Sequence, residues 1–400
     1  IGAALQAGSP GAVRDRLDLL LRGGDADAPV LESGLRLLET IETFSSGDLR
    51  YDACVGAAHS PPAVVSVSEM ETLGRCPQRW FFERALHASE LGEVREEHDL
   101  EPAELGARVH EVLRRVYGAV RDEKILKSDG GKEAARRAAE LLATAWQEET
   151  RDLAERLRAT FPIAWEVLEE RWLAAIGRFL EWDLARLVRE RAAILGVEQG
   201  ARAALPLPAG ASLELRGRFD RVVSGSGGTL VVADYKTART TKSLRERVNA
   251  TLWLKGHELQ MPLYLLLAER SLAGGVQGGR VLAEILGIGP ALDRAIARDG
   301  REDAGEACAP VDAAAFARSR EGLLETLGVL EELLRSGRFP LNSGRWCDYC
   351  PFPRACRRKH APTLERLAAA APLRRFAGLR EKMLKRPLLG DSRPGDEEES

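Results

Sequence analysis

Asp220, Asp234 and Lys236 have the residue types and spacing to bind a divalent metal ion and act on a phosphate ester. Asp234 ends an apolar run, and residues i and i+2 of a β-strand point to the same face, so Asp234 and Lys236 can converge. A hairpin can bring Asp220 alongside them. Two carboxylates are oxygen ligands that Mg²⁺ takes together with water and substrate phosphate, and a nearby lysine can orient the attacking water.

An exposed ion pair is the alternative interpretation of the Asp-x-Lys spacing. Two observations favour a metal site instead. The apolar run places Asp234 at a strand end, where functional residues collect, and Gly217 permits a close backbone approach near Asp220. The pattern therefore predicts metal-assisted hydrolysis of a phosphodiester.

Two predicted helices carry further polar candidates. His110 lies on an amphipathic helix, with Gly106 four residues earlier on the same face, so metal ligation and a structural role are both open. Gln260 and Tyr264 also stand four residues apart on one helix face. Near a phosphate they would donate hydrogen bonds to the substrate backbone; elsewhere they would be ordinary polar groups of a helix.

Four of the six cysteines have the spacing of a metal site. Cys76 stands alone, and Cys347, Cys350 and Cys356 follow far downstream as C-x2-C-x5-C. Zinc and a cubane iron–sulfur cluster both accept four cysteines, and one remote ligand plus three in a compact loop fits a cluster better. Such a site would be structural, because ligating distant parts of the chain makes metal-binding energy part of folding energy. The cysteines without partners at this spacing are Cys54 and Cys308.

The composition is that of a globular protein with a sizeable core. The chain has 400 residues, 44% of them hydrophobic, and a net charge of −3, which argues against a protein that coats DNA with a basic surface. No apolar run approaches the ~18 residues of a membrane span, and no signal peptide is evident. Six cysteines are too few for a disulfide scaffold, so their clustering indicates metal ligation in a reducing, cytoplasmic compartment.

Hydrophobic periodicity predicts helices before and after a group of strands. Capping boxes at Ser66/Glu69 and Ser68/Glu71 both fit the start of one helix, which Pro77 can break. Helices are predicted at residues 102–120, 132–157, 164–194, 258–268, 313–335 and 363–385, and strands at 197–207, 213–223, 229–235 and 279–286, with Gly196 ending the first helical region.

The order of these residues resembles the motifs of a known family. Over residues 64–359 the chain resembles the iron–sulfur branch of the PD-(D/E)XK nuclease superfamily, and within it the RecB/AddB-like nuclease domains. Each motif is weak alone, but their order together is specific. The residues that carry the resemblance are Cys76, His110, Asp220, Asp234, Lys236, Gln260, Tyr264, Cys347, Cys350 and Cys356.

The resemblance implies a fold and a set of ligands. The fold would be α/β and restriction-endonuclease-like, a mixed central sheet flanked by helices and closed by a four-cysteine iron–sulfur staple. We use "staple" for a structural [4Fe-4S] cluster whose ligands come from both ends of the domain; those ligands would be Cys76, Cys347, Cys350 and Cys356. Mg²⁺ or Mn²⁺ would be held by His110, Asp220, Asp234 and the Tyr235 carbonyl. The catalytic set would comprise Asp220, Asp234, Lys236, Gln260 and Tyr264, with Asp234 standing where many members carry Glu.

The resemblance also implies an activity and a context. The expected activity is DNA exonuclease action, with single-stranded DNA favoured, beside a helicase–nuclease partner in double-strand break repair and recombination. Residues 1–60 would be a linker and the tail of a helicase-like domain, 61–360 the nuclease domain, and 361–400 a basic helix and disordered acidic tail. The alternatives are a non-catalytic, cluster-bearing DNA-binding or scaffold subunit, and a zinc-bearing protein with an unrelated α/β domain.

Overall fold

The computed structural model forms two compact units. It describes residues 33–36, 49–89, 102–127, 132–238, 240–272, 280–292 and 308–382. The first unit takes the described residues of 1–61, 76–88 and 333–374, and the second those of 62–75, 89–332 and 375–400. The predicted acidic tail at 393–400 lies outside the described residues.

A mixed six-stranded sheet organises the described part of the second unit. Its strands are β1 (Val65–Ser66), β2 (Ala193–Pro206), β3 (Ser212–Ser224), β4 (Leu230–Thr237), β5 (Val281–Ile288) and β6 (Cys308–Pro310). The order is β1-β3-β4-β5-β6, with β2 also paired to β3. The pairs β1–β3 and β4–β5 are parallel, and the others are antiparallel. The predicted mixed central sheet is therefore confirmed.

The predicted hairpin joins β3 to β4, and the two strands then separate. Gly227 and Gly228 adopt φ of 69° and 76° in the turn, a region that favours glycine. Strand β3 pairs with β4 only from Arg221 to Ser224, and farther from the turn it pairs with β1. Asp220 and Asp234 each lie one residue beyond the last registered pair, Arg221 with Ala233. Both acids therefore lie where the strands fork.

Helices cover both faces of this sheet. Ala233 and Tyr235 face a core shared with Val109, Trp146 and Ile176, whereas Asp234 points to the opposite face. Numbered along the chain through both units, the described helices include α1 (Val67–Arg75), α2 (Pro77–Trp80), α3 (Pro102–Asp122), α4 (Lys132–Glu149), α5 (Arg151–Thr160), α6 (Pro162–Arg189), α7 (Thr241–Arg247), α8 (Ala250–Leu254), α9 (Gln260–Ser271), α10 (Ala313–Ser336), α11 (Ala361–Ala369) and α12 (Arg374–Gly378). Within the described chain, no helix has both the length and the apolar character needed to cross a membrane.

The first predicted capping box is confirmed. The Ser66 N–H donates to Glu69 Oε2 at 2.7 Å, and the Glu69 N–H donates to Ser66 Oγ at 3.1 Å. Each bond satisfies a donor that a helix start leaves without an intrahelical partner. These two bonds fix the start of α1 directly after the short strand β1.

Three predicted helices end earlier than their periodicity suggests. The 132–157 pattern breaks at Thr150, between α4 and α5. The 164–194 pattern ends at Arg189, and Ala193 already pairs with Ser224, so the prediction that Gly196 ends a helix is wrong. Gly196 instead follows a shift in the pairing register of β2, where β3 provides the backbone hydrogen-bond partners. The 363–385 pattern is interrupted near Pro372, which cannot donate a helical hydrogen bond.

The first unit has its own aromatic and ionic core. Trp80 is buried and stacks on Phe339 with ring centroids 5.3 Å apart. Asp52 is also buried; it accepts a hydrogen bond from Thr363 Oγ1 at 2.9 Å and from Arg366 Nε at 2.8 Å. Chain segments that are distant in sequence therefore share one core in this unit.

A buried ionic network lies behind the strand that carries Asp220. The Arg221 side chain has 0% exposure and binds Asp183 through both terminal nitrogens. Tyr117 donates its hydroxyl to Asp183 Oδ2 at 2.6 Å, and the guanidinium lies 4.5 Å from the Tyr117 ring centroid. Burial alone would raise the pKa of Asp183, but Arg221 and Arg186 outweigh it and hold the pKa at about 2. The opposite charges therefore compensate each other inside the core.

Asp183→Ala tests the contribution of this network to stability. The substitution would leave the buried Arg221 charge without its close partner, with Glu284 3.9 Å away, so we expect the free energy of unfolding to fall by ~3–5 kcal/mol. Urea denaturation measures the change. Asp152→Ala is the control, because Asp152 pairs with Arg108 at the surface and its loss should cost less than ~1 kcal/mol. Equal losses in the two variants would contradict this account.

Candidate metal centre

Asp220 is held at the fork by the backbone of the neighbouring strand. Its Oδ2 accepts a hydrogen bond from the Tyr235 N–H at 2.7 Å. The Tyr235 ring points to the opposite face, where it stacks on Tyr117 with centroids 5.9 Å apart. The Tyr235 peptide thus lies beside Asp220 while its side chain anchors β4 in the core.

Asp234 and Lys236 converge as strand alternation predicts. Lys236 Nζ lies 2.7 Å from Asp234 Oδ2, and Gln260 Nε2 donates to Asp234 Oδ1 at 2.6 Å. Burial raises the pKa of Asp234, Lys236 lowers it, Asp220 raises it again, and the net direction is upward. The chain therefore provides a partner for each oxygen of a carboxylate that is almost fully buried.

Gln260 and Tyr264 connect α9 to both strands of the fork. Tyr264 donates its hydroxyl to the Arg218 carbonyl at 2.8 Å and accepts from Gln260 Nε2 at 3.3 Å. The predicted close approach at Gly217 is present, since a Cβ there would lie 2.8 Å from Leu267 Cδ2. In this structure the two polar side chains bind the protein itself, and their first role is to position Asp234.

Glu71 holds the start of α9. Its Oε2 accepts the Gln260 N–H at 2.8 Å, and Arg75 bridges Glu71 and Glu258 at 2.8 and 2.6 Å. A carboxylate at a helix N-terminus satisfies a free backbone donor and favours the helix dipole. The predicted pairing of Ser68 with Glu71 is therefore wrong, because Glu71 caps a different helix.

His110, Glu198 and Asp220 form the group best placed to hold a metal ion among the described residues. Their ligand atoms all lie within 4.8 Å of one another, and His110 Nδ1 is 3.4 Å from Asp220 Oδ2. The structure thus brings together two of the predicted ligands and adds a third. Asp234 is not in this group, since its oxygens contact Lys236 and Gln260.

Sequence reasoning missed Glu198. Strand β2 pairs Val197 with Arg221 and Gln199 with Phe219, which places Glu198 directly opposite Asp220. Cross-strand neighbours on one face are close enough to share an ion. Counting back from the first pair of the β2–β3 hairpin, Pro206 with Ser212, would have found this acid. The sequence alone shows it only as one Glu in a strand of irregular alternation.

The electrostatics of this group suit a cation. Burial lowers the pKa of His110, but the hydrogen bond and charge of Asp220 outweigh it, so the pKa is raised. Burial and then Asp220 raise the pKa of Glu198. Two carboxylates and an imidazole in an open cleft of about 600 Å³ match the donors that Mg²⁺ and Mn²⁺ accept.

The four clustered cysteines meet in the first unit. Cys76, Cys347, Cys350 and Cys356 line one cavity of about 20 Å³, and all are free thiols. Burial raises the pKa of the Cys76 thiol to about 11, and burial also raises that of Cys356. The remote cysteine and the downstream trio therefore line one cavity, but among the described residues no three of their sulfur atoms lie within 4.8 Å of one another. Cysteine is a ligand of both zinc and iron–sulfur clusters.

Comparison with known proteins gives one family. The profile described as the PD-(D/E)XK nuclease superfamily matches residues 64–357. No curated protein matches the chain. A solved structure described as "Crystal structure of SSO0001" is similar at 14% sequence identity, covering 80% of this chain and 96% of that chain with a TM-score of 0.28.

Mn²⁺ binding should depend on pH through His110. Only the neutral imidazole ligates, so lowering the pH through the raised pKa of His110 should weaken binding by about tenfold per pH unit. Isothermal titration between about pH 8.5 and about pH 6 measures this slope. His110→Gln should flatten it, whereas His87→Gln, which changes an exposed histidine, should leave it unchanged. An unaltered slope in His110→Gln would exclude His110 as a ligand.

Proposed function

The chain belongs to the PD-(D/E)XK nuclease superfamily, and we propose that it is a metal-dependent deoxyribonuclease that hydrolyses phosphodiester bonds. The observation that carries this proposal is the fork of β3 and β4. There Asp220 lies beside His110 and Glu198, and Asp234 lies beside Lys236. An oxygen-rich cation site next to a lysine is suited to a phosphate and an attacking water.

The residues that would hold Mg²⁺ or Mn²⁺ are His110, Glu198 and Asp220, with Asp234 and the Tyr235 carbonyl as the family resemblance implies. When bound, such an ion supplies Lewis-acid stabilisation of phosphate charge and a more nucleophilic water. The chain's contribution is to keep these oxygens converged. The Tyr235 N–H fixes Asp220, and Gln260 fixes the carboxylate of Asp234.

Lys236 has N–H donors available to bind the substrate. One ammonium contact goes to Asp234 Oδ2, and an ammonium carries three donors. The remaining donors orient the attacking water and offset negative charge on the phosphate. Preorganised donors of this kind stabilise charge that develops in the transition state.

We further propose that the protein is a RecB/AddB-like exonuclease domain that acts on single-stranded DNA beside a helicase–nuclease partner in the cytoplasm. The order of motifs from Cys76 to Cys356 supports this assignment. The nuclease domain would span residues 61–360, between a linker and a C-terminal tail. A non-catalytic DNA-binding subunit is the alternative, and the joint presence of Asp220, Asp234 and Lys236 argues against it.

The four-cysteine cavity is proposed to hold a structural [4Fe-4S] cluster. The supporting observations are the four thiols that line one cavity and the pairing of a remote cysteine with a compact trio. Zinc is the second candidate, since four cysteine thiolates also ligate a single zinc ion. Either group would join residues near 76 to residues near 350 and so stabilise the first unit.

Asp234→Asn tests the catalytic assignment. We expect Mg²⁺-dependent cleavage of end-labelled single- and double-stranded DNA to fall at least about 10²-fold, because the amide cannot supply the carboxylate charge. Circular dichroism should show an unchanged fold. Asp152→Asn, at an exposed ion pair, is the control and should cleave like the wild type. Full cleavage by Asp234→Asn would eliminate this site.

Anaerobic purification tests the cluster. The protein should be brown, absorb at ~400 nm and contain iron and sulfide. Cys356→Ser should lower the melting temperature, because metal-binding energy stabilises the fold, while Cys54→Ser should retain the colour. Colourless protein with stoichiometric zinc would favour the second candidate. An unchanged melting curve for Cys356→Ser would mean that no metal at this site stabilises the fold.

A further inference from the structure

An apolar groove lies at the carboxyl ends of β4 and β5. It encloses about 980 Å³, and its lining includes Leu105, Leu168 and Trp172, with Thr237 and Gly289 at the strand ends. This volume is in the range of ligand-binding clefts. All of these residues belong to the second unit.

The groove adjoins the metal cleft. Gly106 lines the metal cleft, and its neighbour Leu105 lines the groove. A Cβ at Gly106 would lie only 3.3 Å from Thr237 Oγ1, which belongs to the groove, and Thr237 follows Lys236 directly. The N-terminal part of α3 and the end of β4 therefore lie between the two cavities, and a bound strand would cross this contact to reach from one to the other.

The outer wall of the groove is apolar and exposed. Phe161, Ile163 and Val167 have exposed fractions of 50%, 75% and 46%. Among the described residues, the exposed large hydrophobics number seven, so the groove gathers three of them in one place. Single exposed hydrophobics are ordinary, but a contiguous set around a cleft marks a binding surface.

One cation lies at the rim of this apolar surface. Arg171 follows Val167 by one helical turn on α6 and is exposed. A cleft with an apolar floor and a cationic rim matches a nucleotide, whose base has apolar faces and whose phosphate is anionic.

We propose that this groove receives unstacked bases of a single DNA strand whose phosphate lies at the metal centre. The inference rests on the proposed nuclease function and adds a subsite that binds the bases. A duplex keeps its bases stacked inside the helix, so only a single strand can place bases against Phe161. Stacking on an aromatic side chain is insensitive to base identity, which suits a nuclease without sequence preference.

Binding of oligonucleotides in EDTA tests the groove without cleavage. Fluorescence anisotropy would compare oligo-dT with an abasic oligonucleotide of the same length. Phe161→Ser should weaken oligo-dT binding by about 5- to 150-fold, the range expected for loss of base stacking. It should leave abasic binding unchanged. Leu195→Ser is the matched control, since Leu195 is 51% exposed and lies outside the groove.

Steady-state kinetics with Mg²⁺ separate this inference from the proposed function. For single-stranded DNA, Phe161→Ser should raise KM and leave kcat near the wild-type value. Ile163→Ser provides a second groove variant if Phe161→Ser unfolds at a lower temperature than the wild type. Wild-type protein that cleaves no DNA would overturn the proposed function.

Three outcomes would overturn the groove assignment while the nuclease function stands. One is normal kcat/KM in both groove variants. Another is equal affinity of the wild type for abasic and oligo-dT strands. The third is an effect of Phe161→Ser on self-association alone, seen by light scattering, which would make the groove a protein-docking surface.

Discussion

A charged side chain buried in the core sets the position of the candidate metal centre. Arg221 adjoins Asp220 in β3, and alternation sends the two side chains to opposite faces of the sheet. The guanidinium binds Asp183 and lies over the rings of Tyr117 and Tyr235. Because a displaced Arg221 would be an uncompensated charge in the core, the backbone on either side of it has one low-energy position. The positions of Asp220 and of the Tyr235 peptide are fixed as a result.

The opposite face of the fork is positioned by α9. Glu71 caps the helix at Gln260, and Tyr264 binds the β3 backbone at Arg218. These contacts come from different parts of the chain, yet both help to position the side-chain amide of Gln260, which donates a hydrogen bond to Asp234. Asp220 and Asp234 are thus held by a buried ion network behind the sheet and by a capped helix in front of it.

Local rules predicted the features that depend on neighbouring residues. Strand alternation predicted that Asp234 and Lys236 converge, and the Ser66/Glu69 box predicted the start of α1. Features that depend on distant pairing were missed. Glu198 is recognisable only from the β2–β3 register, and Glu71 only from the approach of α9. Periodicity also extended the predicted helix to residue 194, but Ala193 and Ile194 pair with β3 as part of strand β2. Pairing across the sheet outweighs local helix preference there.

The tight contact at Gly217 affects how sequence variation in this family member should be interpreted. A methyl group at that position would meet Leu267 and Tyr264 of α9. Relief of the overlap would displace the Leu267 and Tyr264 side chains, and Tyr264 contacts the Gln260 amide that holds Asp234. A residue with no polar side chain would then behave in assays like one of the acids. Loss of activity after substitution of Gly217 would reflect a changed distance between Gln260 and Asp234, and would be mistaken for a catalytic role of residue 217.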